Sequence, residues 1–592
     1  MKLLVPSIGE PRPADARLIR LAEFLGIHCD QISLTETGAL ITEAADTVNA
    51  KDGSCLVINP EVIREWAGGN APSDDFASTL VSSFRGVLIH AVRPDPFHSE
   101  LVRSLTAGRF QAVQRVADSE DRLTVASDSK DVCGPYAGVS VCKANSENDR
   151  TFTVGKGGRN LISIGGEAHF AVSHLEKADV FLLGSEDVAD LDSEVGEDCN
   201  VDLFSRFVPH AMALRYVFGD QCWRPFKSHA CVIVDDPLMR PNYGFLDFHE
   251  LLRMIKQHNF STTLAFIPHN FRRSSAEGVR IFRDNSDRLS LCYHGNDHTG
   301  AEFATTDRSR LDTMIQSAEH RMTAFTEATR VHCDRVMVFP QGKFSVEAMA
   351  ALRAHNFEAA VNTESHPWRD HILLTLREVA QPAVLRYAGF PLFLRKNGRQ
   401  MQDTEIAFRL FFGIPLLIGE HHDTFHNPQS LVDAVTRINK AAPEIIWSSA
   451  GAAARGSVLH RRDTDGSLHV KAYARAVRVE IPSQRKECIH IHWGGRGREE
   501  GLESVQRNGV PGVPFHSDDF ETCASAVLEL RTEEQFSIHF REEQIKNIPP
   551  MSLRYNAGVF VRRRLSEIRD NHISGRPLLL STTKALQKLI WH

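Results

Sequence analysis

From about Ser228 to Arg455 the sequence repeats one unit: a short apolar run, a polar break and an amphipathic helical stretch. "ACVIVDD" leads into "FHELLRMIKQH"; "STTLAFIP" and "LSLCYHGND" follow, ahead of a long helical stretch from Arg308 to about Thr329. "RVMVFPQG" precedes "SVEAMAALRAHN", and then come "FEAAVNTE", a less regular part, "IPLLIGEHHD", the helical "SLVDAVTRINKAA" and "EIIWSSAG". A strand that returns to its sheet through a helix runs parallel to its predecessor, so about seven such units predict a distorted (β/α)7-8 barrel over 225–455.

The flanks follow other patterns. Over 1–224, apolar runs such as "KLLVPS", "SCLVINP", "FRGVLIHAV", "RNLISIGG" and "ADVFLLGS" alternate with helical segments. That predicts an open α/β domain of the Rossmann or flavodoxin type with a parallel, helix-covered sheet. Its Gly-rich piece, Gly155 to Asn160, lacks the third glycine of a dinucleotide fingerprint and reads as a strand-connecting turn. After Arg455, "RAVRVEI" and "FSIHF" alternate apolar with polar residues. Period two predicts half-buried antiparallel strands, and with them a β-sandwich-like domain over 456–592. This domain finishes on the helical "VFVRRRLSEIRD", with Arg562 to Arg564 read as a solvated helix face.

Barrels collect their chemistry at the C-terminal ends of their strands. Here those ends carry Asp235 with Asp236, "HGNDH", "FPQG" and "EHHD". Adjacent residues on a strand point to opposite faces, so the double Asp is either a solvated strand tip or a pair of acids with different tasks. His294 and His298 lie four apart, which in a helical turn puts both imidazoles on one face. With a carboxylate from a neighbouring strand they form a facial His-His-Asp set for a divalent metal. Zinc suits such a set, and cobalt, nickel or iron fit the same ligands. His490 and His492 in "CIHIHW" share a strand face without an evident carboxylate or cysteine partner and read as part of an exposed face.

Composition removes some function classes. At 592 residues the chain needs more than one core, and its formal charge of -7 gives no general attraction to nucleic acid or acidic membranes. The cysteines, 11 in number, contain no CxxC pair, which fits buried reduced thiols rather than a disulfide framework. "MKLLVPSIGEPRPADARL" is neither a signal peptide nor a lipidation signal, and no run approaches the ~18 apolar residues of a membrane span. A cytoplasmic location is the resulting expectation.

"VIVDDP", "HGNDH" and "FPQGKFS" together resemble the first three motifs of the polysaccharide deacetylase family, the NodB homology domain of carbohydrate esterase family 4 and its relatives. The resemblance spans about residues 228–455. It implies that Asp235 is the general base and that Asp236, His294 and His298 hold the metal. Pro340 and Gly342 match the third motif, so the Gln341 backbone N–H would be an oxyanion donor. The catalytic acid would be His421 or His422, which spacing does not separate, with Asp423 to orient it. The family's base-orienting arginine falls on Val338, with Lys343 as the nearby substitute, and the fourth motif is represented only by Trp368.

The activity implied is removal of an N-acetyl group from an amino sugar in a glycan or glycoconjugate. A bound divalent cation lowers the pKa of its water to about 7 and polarises the amide carbonyl. The base takes the water's proton, a backbone N–H and the metal hold the oxyanion, and an imidazolium protonates the leaving amine. A cytoplasmic enzyme of this kind would meet a lipid-linked or small soluble precursor. Two other functions stay open: a hydrolase of another C–N bond or an ester, and a non-catalytic carbohydrate-binding or scaffold protein. The missing arginine favours the last; the intact metal set counts against it.

Overall fold

The computed structural model describes residues 1–34, 54–70, 72–116, 122–142, 147–480, 485–495, 502–507, 510–514, 516–517, 522–530, 533–540 and 552–573. Ile481, the last residue of the "RAVRVEI" alternation, lies outside them.

The N-terminal region forms a sheet whose first half is parallel, in the order Cys29–Ser33, Leu3–Ser7, Cys55–Ile58, Gly86–Ile89 and Asp179–Leu183. The second half departs from the parallel expectation. Gly158–Ile164 and Glu167–His174 pair antiparallel through a two-residue turn, Gly165 and Gly166, both at positive φ. Two glycines between β-forming runs close a tight hairpin, which leaves no chain for a crossover helix. Within "GKGGRN", residues 155–157 connect Arg150–Val154 to Gly158–Ile164, whose first three residues are its last three.

The central sheet supplies the scaffold of the candidate site. Its strands are β1 (His229–Asp235), β2 (Thr262–Phe266), β3 (Leu289–His294), β4 (Cys333–Val338), β5 (Ala359–Asn362), β6 (Leu392–Leu394) and β7 (Leu416–His421). They run parallel in the order β6-β5-β4-β3-β2-β1-β7. The ring closes where Lys396 bridges Ile418: the Lys396 N–H donates to Leu417 at 3.1 Å and the Gly419 N–H to Lys396 at 2.9 Å. Ile446–Trp447 adds a short strand at the base of β1. The result is a (β/α) barrel with a narrow seam beside β6.

Strand periodicity divides the barrel core. Ala230, Val232 and Val234 pack outward beneath the helices, whereas Cys231 and Ile233 join the barrel interior with Ala265, Cys292, Val336, Val338, Val361 and Phe393. Helix α1 (Phe248–His258) buries Phe248, Leu251, Met254 and Ile255 at helical spacing, is capped by Asp247 and ends at Asn259 with φ +52°. Helix α2 (Arg308–Thr329) covers β3 and β4, and α3 (Ala450–Gly456) plugs the barrel floor with Ala450, Ala453 and Ala454.

Beyond the barrel, a six-stranded and a four-stranded sheet share a core that includes Val470, Ile489 and Ile491 from one and Val477, Phe536 and Ile538 from the other. Most neighbours are antiparallel as expected, but Leu468–Ala472 pairs parallel with Arg485–Trp493. Helix α4 (Leu553–Ile568) returns across the mouth of the barrel. Among the described residues no helix is long and apolar enough to cross a membrane.

Candidate active site

The interior alternation of β1 continues Cys231, Ile233, Asp235, so Asp235 points into the barrel and is 2% exposed. A regular strand would turn Asp236 outward. Instead Asp236 has φ +78°, a left-handed conformation that a non-glycine residue adopts only under constraint. This break swings the second carboxylate over the same mouth. The double Asp is a bend that serves one cavity with two acids.

Asp235 is held by Arg395, which follows β6: Nη1 donates to Oδ1 at 2.7 Å and Nη2 to Oδ2 in a bidentate pair. Burial would push the Asp235 carboxyl up, but the Arg395 guanidinium more than reverses it and holds it below the usual carboxylate range. Room for the arginine comes from Gly419 on β7, where a Cβ would meet the Arg395 side chain at 2.6 Å. Val338, the position of the expected arginine, is instead a buried barrel residue whose carbonyl serves His294. Lys343 does not take the role either; its Nζ lies 3.6 Å from the ring centre of Trp368.

His294 ends β3 and His298 follows in a loop, so the pair is not on a helical turn as its spacing predicts. Gly295 at φ +65° and His298 at φ +60° curl the loop back on itself. Glu302 fixes that curl by accepting the backbone N–H groups of Asn296 at 2.9 Å, Asp297 at 3.3 Å and His298 at 3.0 Å. Burial, with Asp297 nearby, pushes the Glu302 carboxyl well up. A Cβ on Gly295 would fall 2.0 Å from Glu302 Oε1, so this position has no space for a side chain.

The three expected ligands converge. Asp236 Oδ1 lies 3.4 Å from His298 Nε2 and 3.7 Å from His294 Nε2, and one ligand atom of each residue falls within 4.8 Å of the others. His294 Nδ1 pairs with the Val338 carbonyl at 3.0 Å, which sets the tautomer and leaves Nε2 its lone pair. Asp236 Oδ1 and His294 Nε2 are both buried without a hydrogen-bond partner. Burial lowers both histidines, His298 to about 4, so both imidazoles are neutral ligands near neutral pH. Orphaned acceptors converging from an acid and two neutral imidazoles fit a divalent cation. The only other grouping of this kind among the described residues, Glu61, Asp95 and His98, is already filled by Arg64 and Arg93: Arg64 reaches Asp95 at 2.5 Å and the Arg93 N–H donates to His98 Nδ1 at 2.8 Å.

The remaining candidates separate by position. His421 is exposed, with Nδ1 4.0 Å from Asp236 Oδ2. His422 turns away under Gly244, edge-on to Tyr243 at 5.2 Å, with Nε2 3.9 Å from Asp570. Asp423 is exposed. Gln341 sits at φ +59° after Pro340, and its Oε1 accepts from the Ala301 N–H at 3.3 Å, tying the β4 loop to the histidine loop. Of the weaker sequence signals, His492 is buried beside His469, with Nε2 2.9 Å from its Nδ1, and so is not on an exposed face.

Comparison with solved structures returns distant likenesses. The crystal structure of Agd3, described as a novel carbohydrate deacetylase, is similar over 91% of this chain and 98% of its own, with TM-score 0.48 and 9% identity. A family 4 carbohydrate esterase from Streptomyces lividans in complex with acetate matches 37% of this chain and 88% of its own, with TM-score 0.22 and 12% identity. A CE4 family pseudoenzyme from Bacillus anthracis matches 38% of this chain and 64% of its own, with TM-score 0.24 and 12% identity. Neither a family model nor a curated protein matches the sequence.

Sequence reasoning missed Arg395. The signal available was a basic residue directly after an apolar triplet, "LFLR", at a strand end. The stretch around it lacks the helical rhythm that made the other strands visible.

Proposed function

We propose that the chain is a metal-dependent hydrolase that removes an N-acetyl group from an amino sugar in a glycan or glycoconjugate. The observation that carries this reading is the division of labour between adjacent carboxylates: Asp235 is clamped by Arg395, while Asp236 faces His294 and His298 with an orphaned oxygen. Asp236, His294 and His298 would hold a divalent cation, zinc being the best fit to one carboxylate and two imidazoles. When bound, the cation supplies an acidified water and a polarised carbonyl.

The chain's own residues have the other tasks. Asp235 accepts a proton from the attacking water, and Arg395 fixes the carboxylate's plane and keeps it ionised. The backbone N–H of Gln341 is the candidate donor to the oxyanion. His421, open to solvent beside Asp236, protonates the departing amine; His422 packs against Tyr243 and is assigned no proton transfer. Arg395 also weakens the non-catalytic alternative, which drew on the absence of a base-orienting arginine.

The test is acetate release from N-acetylated and O-acetylated oligosaccharides by zinc-loaded protein, by chelator-treated protein, and by D236A, H294A, H421A and H422A variants. Release from N-acetyl substrates should need the metal and fall on the order of 10²-fold in H421A, with a smaller loss in H422A. Turnover of O-acetyl substrates alone would move the assignment to an esterase. Failure to bind zinc and to release acetate would leave a binding protein.

A further inference from the structure

Helix α4 is pinned over the barrel mouth at both ends. Near its start, Tyr555 Oη donates to Asp297 Oδ2 at 2.9 Å and Asn556 Oδ1 accepts from Arg321 at 3.4 Å. Near its end, Glu567 pairs with Arg240 at 3.2 Å and with Arg273. Just beyond it, Asp570 accepts from Tyr243 Oη and Asn571 from the Gly244 N–H, each at 2.7 Å. Between these anchors the barrel-facing positions are Val559, Arg563 and Ser566, exposed by 2%, 6% and 9%.

Arg563 therefore does not belong to a solvated face, as its "RRR" context predicts; the helix lays it against the site. Among the described residues it forms no ion pair, and its buried Nε has no acceptor. A guanidinium taken out of water without a direct ion pair is costly. Its charge is felt at Asp236 and His298, which places it within electrostatic reach of the metal ligands.

A second observation points the same way. Thr299, directly after His298, opens a groove of about 580 Å³ lined by Arg310, Arg554, Arg562, Tyr555 and Gly300 among others, with no carboxylate in its lining. None of these three arginines forms an ion pair among the described residues. The nearest acids are already engaged: Asp297 by Thr299 and Tyr555, and Glu302 by three backbone N–H groups.

We propose that this groove binds an anionic group of the substrate, a carboxylate or a phosphate carried on the glycan beside the amide to be cleaved. The position of that amide rests on the deacetylase reading; the anion site rests on the arginines. Arg310, Arg554 and Arg562 draw the anion in, and Arg563, next to Arg562 on the same helix, adds its charge.

The experiment is calorimetric binding of three probes to the full chain: a hyaluronan hexasaccharide bearing uronates, UDP-N-acetylglucosamine bearing a diphosphate, and a neutral chitin hexasaccharide. At least one acidic probe should bind about tenfold or more tightly than chitin, with a preference that shrinks as salt rises. Which acid gains identifies carboxylate or phosphate. The preference should collapse in R310E/R554E, whose substituted side chains are exposed and whose fold is not at risk, and weaken in R563Q. Equal binding of all three probes, or a preference unchanged in R310E/R554E, overturns the proposal. Binding is read without turnover, so acid preference without acetate release would sink only the deacetylase reading, and acetate release without acid preference would sink only the groove.

Discussion

Arg395 and Asp235 stand 160 residues apart in sequence and share two hydrogen bonds in the barrel, with the arginine 6% and the acid 2% exposed. Removing one partner of such a pair leaves a buried charge uncompensated, which costs about 3–5 kcal/mol. Arg395→Ala should therefore lower stability by that order in urea unfolding and lower acetate release on the order of 10²-fold by freeing the base to reorient. Zinc content per chain should stay near the native value, because Asp236 and the two histidines are untouched. Loss of zinc with activity would place Arg395 in the metal site and overturn its role as the partner of the base. Asp235, Asp236 and His294 were legible as candidates because each sits at the end of an apolar run, and His298 because it falls four residues beyond His294. Arg395 was not, because nothing local marks which of many arginines will meet a given acid.

At the scale of elements, the loop after β3 shows how a four-residue spacing can bring two imidazoles together without a helix. Gly295→Ala should push against Glu302 and against Pro340, whose Cγ lies 2.5 Å from the added Cβ. The expected outcome is a folded protein by circular dichroism that has lost most of its bound zinc by elemental analysis; full retention would show that the loop can relax. The barrel floor offers a pH test far from the mouth. Asp334 is 1% exposed, accepts the Gly451 N–H of α3 at 3.0 Å and lies 3.6 Å from Arg455. Burial would raise its pKa, but His332, Arg455 and the hydrogen bonds outweigh that and lower it. A carboxyl with a depressed folded pKa adds stability above its unfolded value of about 3.9 and loses it as pH falls through the folded one. The stability gap between native protein and D334N, followed by urea unfolding, should thus be widest between about pH 4 and 6.5, shrink below about pH 4 as Asp334 takes up its proton, and shrink again above about 6.5 as His332, whose pKa Asp334 raises, gives up its own. A gap independent of pH would mean that the shift is not realised. The strands with strong alternating rhythm were readable in advance. Leu392–Leu394 was not, being three residues long in an irregular stretch, and it is the strand that delivers Arg395.

On the scale of the whole molecule, a change of pattern near 225 and 455 is visible in the sequence, but the faces that bury one another across those points are not, since an apolar residue does not name its partner. One core runs from the N-terminal sheet into the barrel's helices: Phe204, Phe207 and Leu214 pack with Phe408, Phe411 and Phe412. Phe207 and Phe412 stack at 5.0 Å, Arg215 lies 4.2 Å over Phe411, and Asn200 donates to Glu405 at 2.9 Å. A second core joins the barrel interior, through α3, to the C-terminal sheets. Excising 225–455 would expose both faces to water, at about 25 cal/mol for each Å² of apolar surface. The excised piece should therefore bind a hydrophobic dye and unfold well below the full chain. The sharper test is Phe412→Ala in the full chain, which opens a cavity against Phe207 and should cost about 3–5 kcal/mol. If the shared core couples the two units, hydrogen exchange should accelerate together in Leu3–Ser7 and in β1, although neither strand contains the substitution. Acceleration confined to the N-terminal strand would mean that the barrel stands without its neighbour, and that the candidate site owes its geometry to the barrel alone.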